Sequence, residues 1–509
     1  MKKGWQKALW LVGLIIIIYV GIYYFYPAVK DVLSPPKKGI NVILISVDAL
    51  RADRVSFYGY PAKLTPNIDR LAESGVVFRR TYCYGGNTAA SMGAIFTSRF
   101  PYWPLDVPGG GPRWHVKHHY GFSRFQDNSD LRPGIPDTLE TLPTIFKKHD
   151  YTTVGISTNP YLTKDFNFHR GFDFFEEFSS QWRQLYPGVE TVVAKLDTYL
   201  SELHDTRFFA WLHLMDLHHP LRDFGPFLEE AQSRRNQAAP KYPPVSEWTE
   251  EAVKILTEFG SRAIPDWKPG EEGLRKALEE YILAYEAELV RIDRQIGVLI
   301  EKLRLHGLWD NTLVVLVTDH GEEFADHRIW DHRGQLYEAI VRGVWIMHNP
   351  RLFPGPKVVE ERVNLIDLLP TLINLLGIKE GELTFDGKSR ISLLKKESKG
   401  EDGLVFGMLD RRAYIIDGDF KLMVNGDYGK KNRGAHPDPP YVPIELYNIK
   451  NDPEELRNLV DESPEMVDRL MIRLKRAFLE KGIHLWESSP SKEISKEVKE
   501  RLKSLGYIK

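Results

Sequence analysis

The chain has 509 residues, enough to bury a large core spread over two or more lobes. Its formal net charge is −2 with acids and bases interspersed, so it offers no basic stripe for nucleic acid. A lone cysteine, Cys83, excludes an internal disulfide framework and any multi-cysteine metal site.

At the amino end, Ala8 to Tyr26 carries no charge and is long enough to cross a bilayer as a helix. Trp10 and the cluster Tyr23, Tyr24, Tyr26 stand near its ends, where interfacial aromatics belong, and Lys2, Lys3 and Lys7 precede it. This pattern predicts a cytoplasmic amino terminus over 1–7, a transmembrane signal anchor over 8–26 and a linker over 27–39. The expected protein is single-pass in the cell membrane, with its catalytic body outside the cytoplasm. A catalytic domain is expected over 40–383 and a carboxy-terminal subdomain over 384–509.

Asn41 to Val47 is an apolar run of the kind buried on both faces of a parallel sheet, and it ends at Asp48. Thr65-Pro66 opens a helix that Gly75 closes, and Val76 to Phe78 starts another strand. A glycine-bearing loop at Gly85-Gly86 then runs into an apolar helix, placing Thr88 and Ser91 beside free backbone N–H groups. Such hydroxyls either cap the helix or serve an anion site with an activated nucleophile. Residues 102–135 read as an insertion; its His115, His118 and His119 belong to a polar surface loop placed to overhang the site. Thr138 to His149 reads as a helix, Thr152 to Ile156 as a strand, and Phe208 to Leu214 as a strand leading to His218.

Residues 225–270 are proline-punctuated and read as an irregular excursion. From Leu274 apolar residues recur at helical spacing until Gly307. Leu313 to Val317 is a further buried strand, and it ends in Asp319, His320 and Gly321. Two strands ending in carboxylates can lie side by side, bringing both acids to the edge where α/β sheets bind ligands. Carboxylates with an imidazole suit a divalent ion.

The segments NVILISVDALRAD, TPNIDRLAESGVVF, TAASMGAIFTSRFP and TDHGEEFADH resemble, in that order, the signatures of the sulfatase family within the alkaline phosphatase superfamily. FFAWLHLMDLHHP, NLIDLLPTLINLLG, FDGKSR and ELYNIKNDPEELRNLV are similar to its later segments, so the likeness runs from Ile40 to the carboxyl end. The resemblance implies an α/β fold with a mostly parallel sheet flanked by helices, a smaller carboxy-terminal sheet-plus-helix lobe, and one divalent metal ion (Mn, Mg, Ca or Zn). The family's nucleophile is a Cys or Ser converted to formylglycine. Here that position falls on Thr88, with Met92 at the usual Arg position, so no formylglycine is expected.

Related phosphodiesterases and lipid phosphoethanolamine or phosphoglycerol transferases use a metal-bound Thr, and their ligand set is matched by Asp48, Thr88, Asp319 and His320. The same resemblance assigns His218 and His332 to catalysis beside Thr88, and Asn159 and Ser91 to the substrate; many sulfatases carry a Lys where Asn159 stands. The implied activity is cleavage or transfer of a phosphate ester on a lipid or glycan at the membrane. A sulfatase using unmodified Thr is the alternative, and a non-catalytic binding protein on the same scaffold is the third reading.

Overall fold

A computed structural model describes residues 39–101, 131–132, 134–178, 187–221, 225–235, 243–264, 268–330, 332, 336–379, 381, 383–395, 403–409, 412–425, 444–480 and 492–493. The predicted apolar runs become the middle of the large sheet: β1 (Asn41–Val47), β6 (Phe208–Leu214) and β7 (Thr312–Thr318), each buried along its whole length. Around them stand β2 (Val76–Tyr82), β4 (Thr152–Ser157), β5 (Phe174–Glu177), β9 (Trp345–His348) and β10 (Lys357–Asn364). Their order is β10-β2-β9-β7-β1-β6-β4-β5, and the two-residue β8 (Arg342–Gly343) pairs with β2 off this path. A small ladder joins β3 (Leu131–Arg132) to β15 (Lys492–Glu493).

The strand alternation of β1 explains the layering. Ile43, Ile45 and Val47 face one core, and Val42 and Leu44 face the other. The first core is roofed by α7 (Glu271–Leu305), the long helix that the apolar spacing predicts. The second is covered by α2 (Thr88–Thr97) and α8 (Leu368–Leu375). The stretch 225–270 contains α5 (Gly225–Arg234) and α6 (Glu250–Ala263), where an irregular chain was expected. Ala231, Ala252 and Leu256 join the core against α7, and this burial outweighs the proline punctuation around them. Two further helices, α1 (Pro66–Ser74) and α4 (Val189–Glu202), pack on the same layer, and α3 (Leu142–Lys148) lies on the other.

Two expectations are corrected. The sheet is mixed: β9 runs antiparallel to both β7 and β2, while β1 is parallel to β6 and β7. A parallel return needs a long crossover, usually a helix. Between Thr318 and Trp345 the described residues form the site loop, the four-residue helix Glu338–Val341 and the two-residue β8, with no crossover helix among them, and β9 comes straight back. The second correction concerns the membrane. Among the described residues no helix is long and apolar enough to cross a bilayer, and the expected single-pass span is not found there. The 35-residue α7 carries exposed charges toward both of its ends and is buried on every side over 281–290, as a helix roofing a sheet under further helices is. Ala8 to Tyr26, which raised the expectation, lies outside the described residues, as does His115 to His119.

The smaller lobe is an antiparallel sheet in the order β11 (Val405–Leu409), β12 (Arg412–Asp417), β13 (Phe420–Asn425), β14 (Ile444–Asn448), backed by α9 (Pro464–Glu480). Lys421 of β13 is fully buried and pairs with Glu455 at 2.9 Å and with Glu338 of the large lobe at 3.3 Å. Removing one partner of a buried ion pair leaves uncompensated charge, at a cost of about 3 kcal/mol or more. Lys421→Ala is expected to lower unfolding stability by that amount in a denaturant titration; a loss below about 1 kcal/mol would contradict this role.

Candidate active site and metal centre

Three neighbouring strands deliver the site. The register of β1 sets Val47 beside Thr318 of β7, so Asp48 and Asp319 emerge from adjacent strand ends. On the other side of β1, Ser46 pairs with His213 of β6. Ala49 follows Asp48 in the left-handed region, with φ 56°. Tyr285 of α7 holds this strained turn: its hydroxyl donates to Ala49 O at 2.8 Å and accepts from Arg51 N at 2.9 Å.

The loop before α2 supplies the hydroxyl. Asn87 is the N-cap, accepting from Ala90 N at 3.1 Å, and Thr88 is the first helical residue. Its Oγ1 lies 3.2 Å from His320 Nε2. Ser91, one turn on, donates its hydroxyl to Gly85 O at 2.8 Å and so braces the loop. A Cβ on Gly85 would sit 2.6 Å from Met408 O, which is why the chain needs glycine where the small lobe touches the loop before α2.

The four residues expected to bind metal converge. His320 Nε2 stands 3.7 Å from Asp48 Oδ1 and 3.6 Å from Asp319 Oδ2. Those two oxygens are fully buried and accept no hydrogen bond, whereas Asp319 Oδ1 accepts from His320 N at 2.7 Å and Ala49 N at 3.3 Å. Two orphaned carboxylate oxygens facing one imidazole nitrogen are costly without a cation. The other nitrogen of His320, Nδ1, donates to Gly321 O at 2.9 Å, leaving the Nε2 lone pair toward the carboxylates. Asp48, Asp319, His320 and Thr88 thus fit a divalent ion.

Electrostatics follow from burial and crowding. Burial and the nearby Asp48 carboxylate push Asp319 well above the usual carboxylate range. Burial opposes ionisation of Asp48, yet the His213 hydrogen bond and the histidines around it hold its pKa low. Burial, then His332, brings His320 down to about 3, keeping the imidazole neutral as a ligand must be.

His332 stacks on His320 with ring centroids 4.2 Å apart, and His218 meets His332 edge-on at 5.1 Å. The structure therefore gathers Thr88, His218 and His332 around one point. His332 Nδ1 faces both oxygens of Glu322, at 3.3 and 3.4 Å. Asn159 uses its amide inward: Nδ2 donates to Asp48 Oδ2 at 2.6 Å, and Oδ1 accepts from Tyr161 N at 2.8 Å. Sequence reasoning missed His213, whose Nε2 is 3.2 Å from Asp48 Oδ2 and which groups with Asp48 and Asp319 as a candidate metal cluster. The available signal was a histidine inside FFAWLHL, a run otherwise apolar. Glu322 was also passed over, although it follows Asp319-His320 directly after Gly321.

Gly321 lets the ligand loop press on the chain behind it. An added Cβ would lie 1.9 Å from Ala339 O, and Gly321 N donates to Ile340 O at 2.7 Å. Gly321→Ala must displace backbone, which costs about 2 kcal/mol or more. Denaturant unfolding is expected to show that loss; unchanged stability would contradict the packing.

Comparison with known proteins gives the family. The sulfatase family model matches residues 40–378. An arylsulfatase of Clostridium perfringens is 27% identical over 484 residues, covering 84% of this chain and 92% of the relative. The uncharacterized sulfatase YidJ of Escherichia coli is 25% identical over 476 residues, covering 83% of each. Among solved structures, a protein in complex with its substrate D-glucosamine-2-N,6-O-disulfate superposes with TM-score 0.65 at 18% identity, over 87% of this chain and 99% of the other. The phosphonate monoester hydrolase of Agrobacterium radiobacter superposes with TM-score 0.62 at 18% identity, over 87% of this chain and 96% of the other. The two buried acids at adjacent strand ends, with a hydroxyl and an imidazole between them, stand on a chain that belongs to the sulfatase family of the alkaline phosphatase superfamily and is a hydrolase of that family.

Proposed function

We propose that this chain hydrolyses a sulfate monoester, with a sugar sulfate as the substrate class, using the unmodified hydroxyl of Thr88. The observation that carries the reading is the 3.2 Å approach of Thr88 Oγ1 to His320 Nε2, beside the orphaned oxygens of Asp48 and Asp319. Those unsatisfied acids also count against a non-catalytic scaffold, which would gain by replacing them with apolar residues. The sugar sulfate comes from the relatives, which include arylsulfatases and a protein solved with a disulfated glucosamine. A divalent ion held by Asp48, Asp319, His320 and Thr88 would lower the hydroxyl's pKa and offset the anionic charge of the ester.

The chain's own residues do the rest. The N-terminus of α2 orients Thr88 and turns its backbone N–H groups toward an anion. Thr88 Oγ1 releases its proton to solvent and attacks sulfur; an O–S bond forms as the bond to the leaving oxygen breaks. His332, faced by Glu322, gives a proton to that oxygen, and His218 hydrogen-bonds a non-bridging oxygen. Water then attacks the same sulfur as the bond to Thr88 Oγ1 breaks; one water proton goes to His332, the other returns to Thr88 Oγ1, and sulfate leaves.

One observation favours a second reading. Residue 88 is Thr, a hydroxyl nucleophile of the kind that serves phosphoryl transfer, and a phosphonate monoester hydrolase shares the fold. Parallel turnover of an aryl sulfate, an aryl phosphodiester and an aryl phosphonate, with Mn, Mg, Ca or Zn and with chelator, separates the two. Dominant sulfate cleavage is expected; dominant cleavage of a phosphorus ester would reassign the substrate to phosphoryl or phosphonyl groups.

A further inference from the structure

A histidine and a serine facing each other inside two doubly buried strands require a reason, because unpaired polar groups there are costly. Ser46 and His213 are cross-strand partners in the β1–β6 register, and both are fully buried. Ser46 Oγ accepts from Trp211 Nε1 at 2.9 Å and lies 2.8 Å from His213 Nδ1. The far side of the ring, Nε2, faces Asp48 Oδ2 at 3.2 Å.

We infer that His213 is a positioning residue for the metal ligand Asp48, a hydrogen-bond donor held in its tautomer by Ser46, and not itself a ligand; this rests on the metal-dependent reading of the site. Asp48 Oδ2 is an acceptor only, so the nitrogen that faces it carries the proton. A protonated Nε2 has no lone pair for a cation. Nδ1 is then the acceptor, and the Ser46 hydroxyl satisfies it while its own oxygen takes the Trp211 proton. Asn159 Nδ2 supplies a second donor to the same oxygen, at 2.6 Å. Asp48 Oδ2 is thereby saturated from two sides, and Oδ1, orphaned and 3.7 Å from His320 Nε2, is the one atom of Asp48 left for metal. The carboxylate is locked as a one-oxygen ligand. Outer partners of this kind alter metal affinity by about 10–100-fold.

The test uses the full chain loaded with Mn2+. Electron spin-echo envelope modulation of the wild-type complex counts coordinated imidazole nitrogens without any mutation. One nitrogen, from His320, is expected; two would overturn the inference and make His213 a ligand. His213→Leu is expected to bind one Mn2+ about 10–100-fold more weakly by calorimetry, with the single-imidazole signature retained. His213→Gln, which keeps an N–H donor, is expected to recover most of that affinity. Unaltered Mn2+ affinity in a folded His213→Leu would also overturn the inference. A wild-type chain that binds no Mn2+ would overturn the metal-centre reading as well, and is separated from the other outcomes because it needs no variant and no turnover.

Discussion

Replacing Thr88 by Ala is expected to lower kcat/KM by about 10⁴-fold or more with the fold intact, because it deletes the atom that forms the covalent bond in the proposed reaction. The structural cost is small: Thr88 opens α2, but the cap hydrogen bond belongs to Asn87, and Ala is a good helix former. Thr88→Ser keeps the hydroxyl and is expected to stay within about tenfold of wild type. Circular dichroism and thermal unfolding establish the fold, and turnover of the favoured aryl ester establishes the rest. A folded Thr88→Ala enzyme with wild-type activity would remove Thr88 from the chemistry.

The second large effect is on metal. Chelation of the wild-type protein is expected to suppress turnover by about 10³-fold, close to 4 kcal/mol of transition-state stabilisation, and readdition of a divalent ion should restore it. Asp319→Asn removes one of the two buried carboxyl groups. It should bind Mn2+ far more weakly while unfolding at no lower denaturant concentration than the metal-free wild type. The reason lies in the site itself, where burial and the Asp48 carboxylate already disfavour ionised Asp319. Equal turnover with and without chelator would contradict the metal centre.

What the sequence revealed of this site, and what it hid, follows from how each signal is written. Asp48 and Asp319 each end an unbroken apolar strand, and that abrupt change from core to carboxylate is visible in one dimension. His320 was legible beside Asp319 at the same strand end, Thr88 was assigned by its segment's likeness to a family, and the structure sets the two 3.2 Å apart. His213 was hidden because its meaning is lateral: it acquires a role only through the register that lays β6 beside β1. Asn159, expected to face the substrate, turns its amide to Asp48, a contact across 111 positions that no local pattern encodes.

The direction of β9 was hidden for a related reason. Trp345 to His348 is a short buried run that reads alike parallel or antiparallel, and only the lack of a crossover helix before it decides. In 225–270, proline and polar residues masked apolar positions that become helical only against α7. The apolar segment near the amino end led to a membrane span that no described helix supports.

The most direct measurement is peptide mapping by mass spectrometry on enzyme quenched with acid in the first turnovers of a fast-leaving aryl ester, metal present. A burst of aryl alcohol is expected, with a sulfuryl group, or in the second reading a phosphoryl or phosphonyl group, on the peptide that carries Thr88. A burst with that group on another side chain, or with Thr88 unmodified, would contradict that expectation.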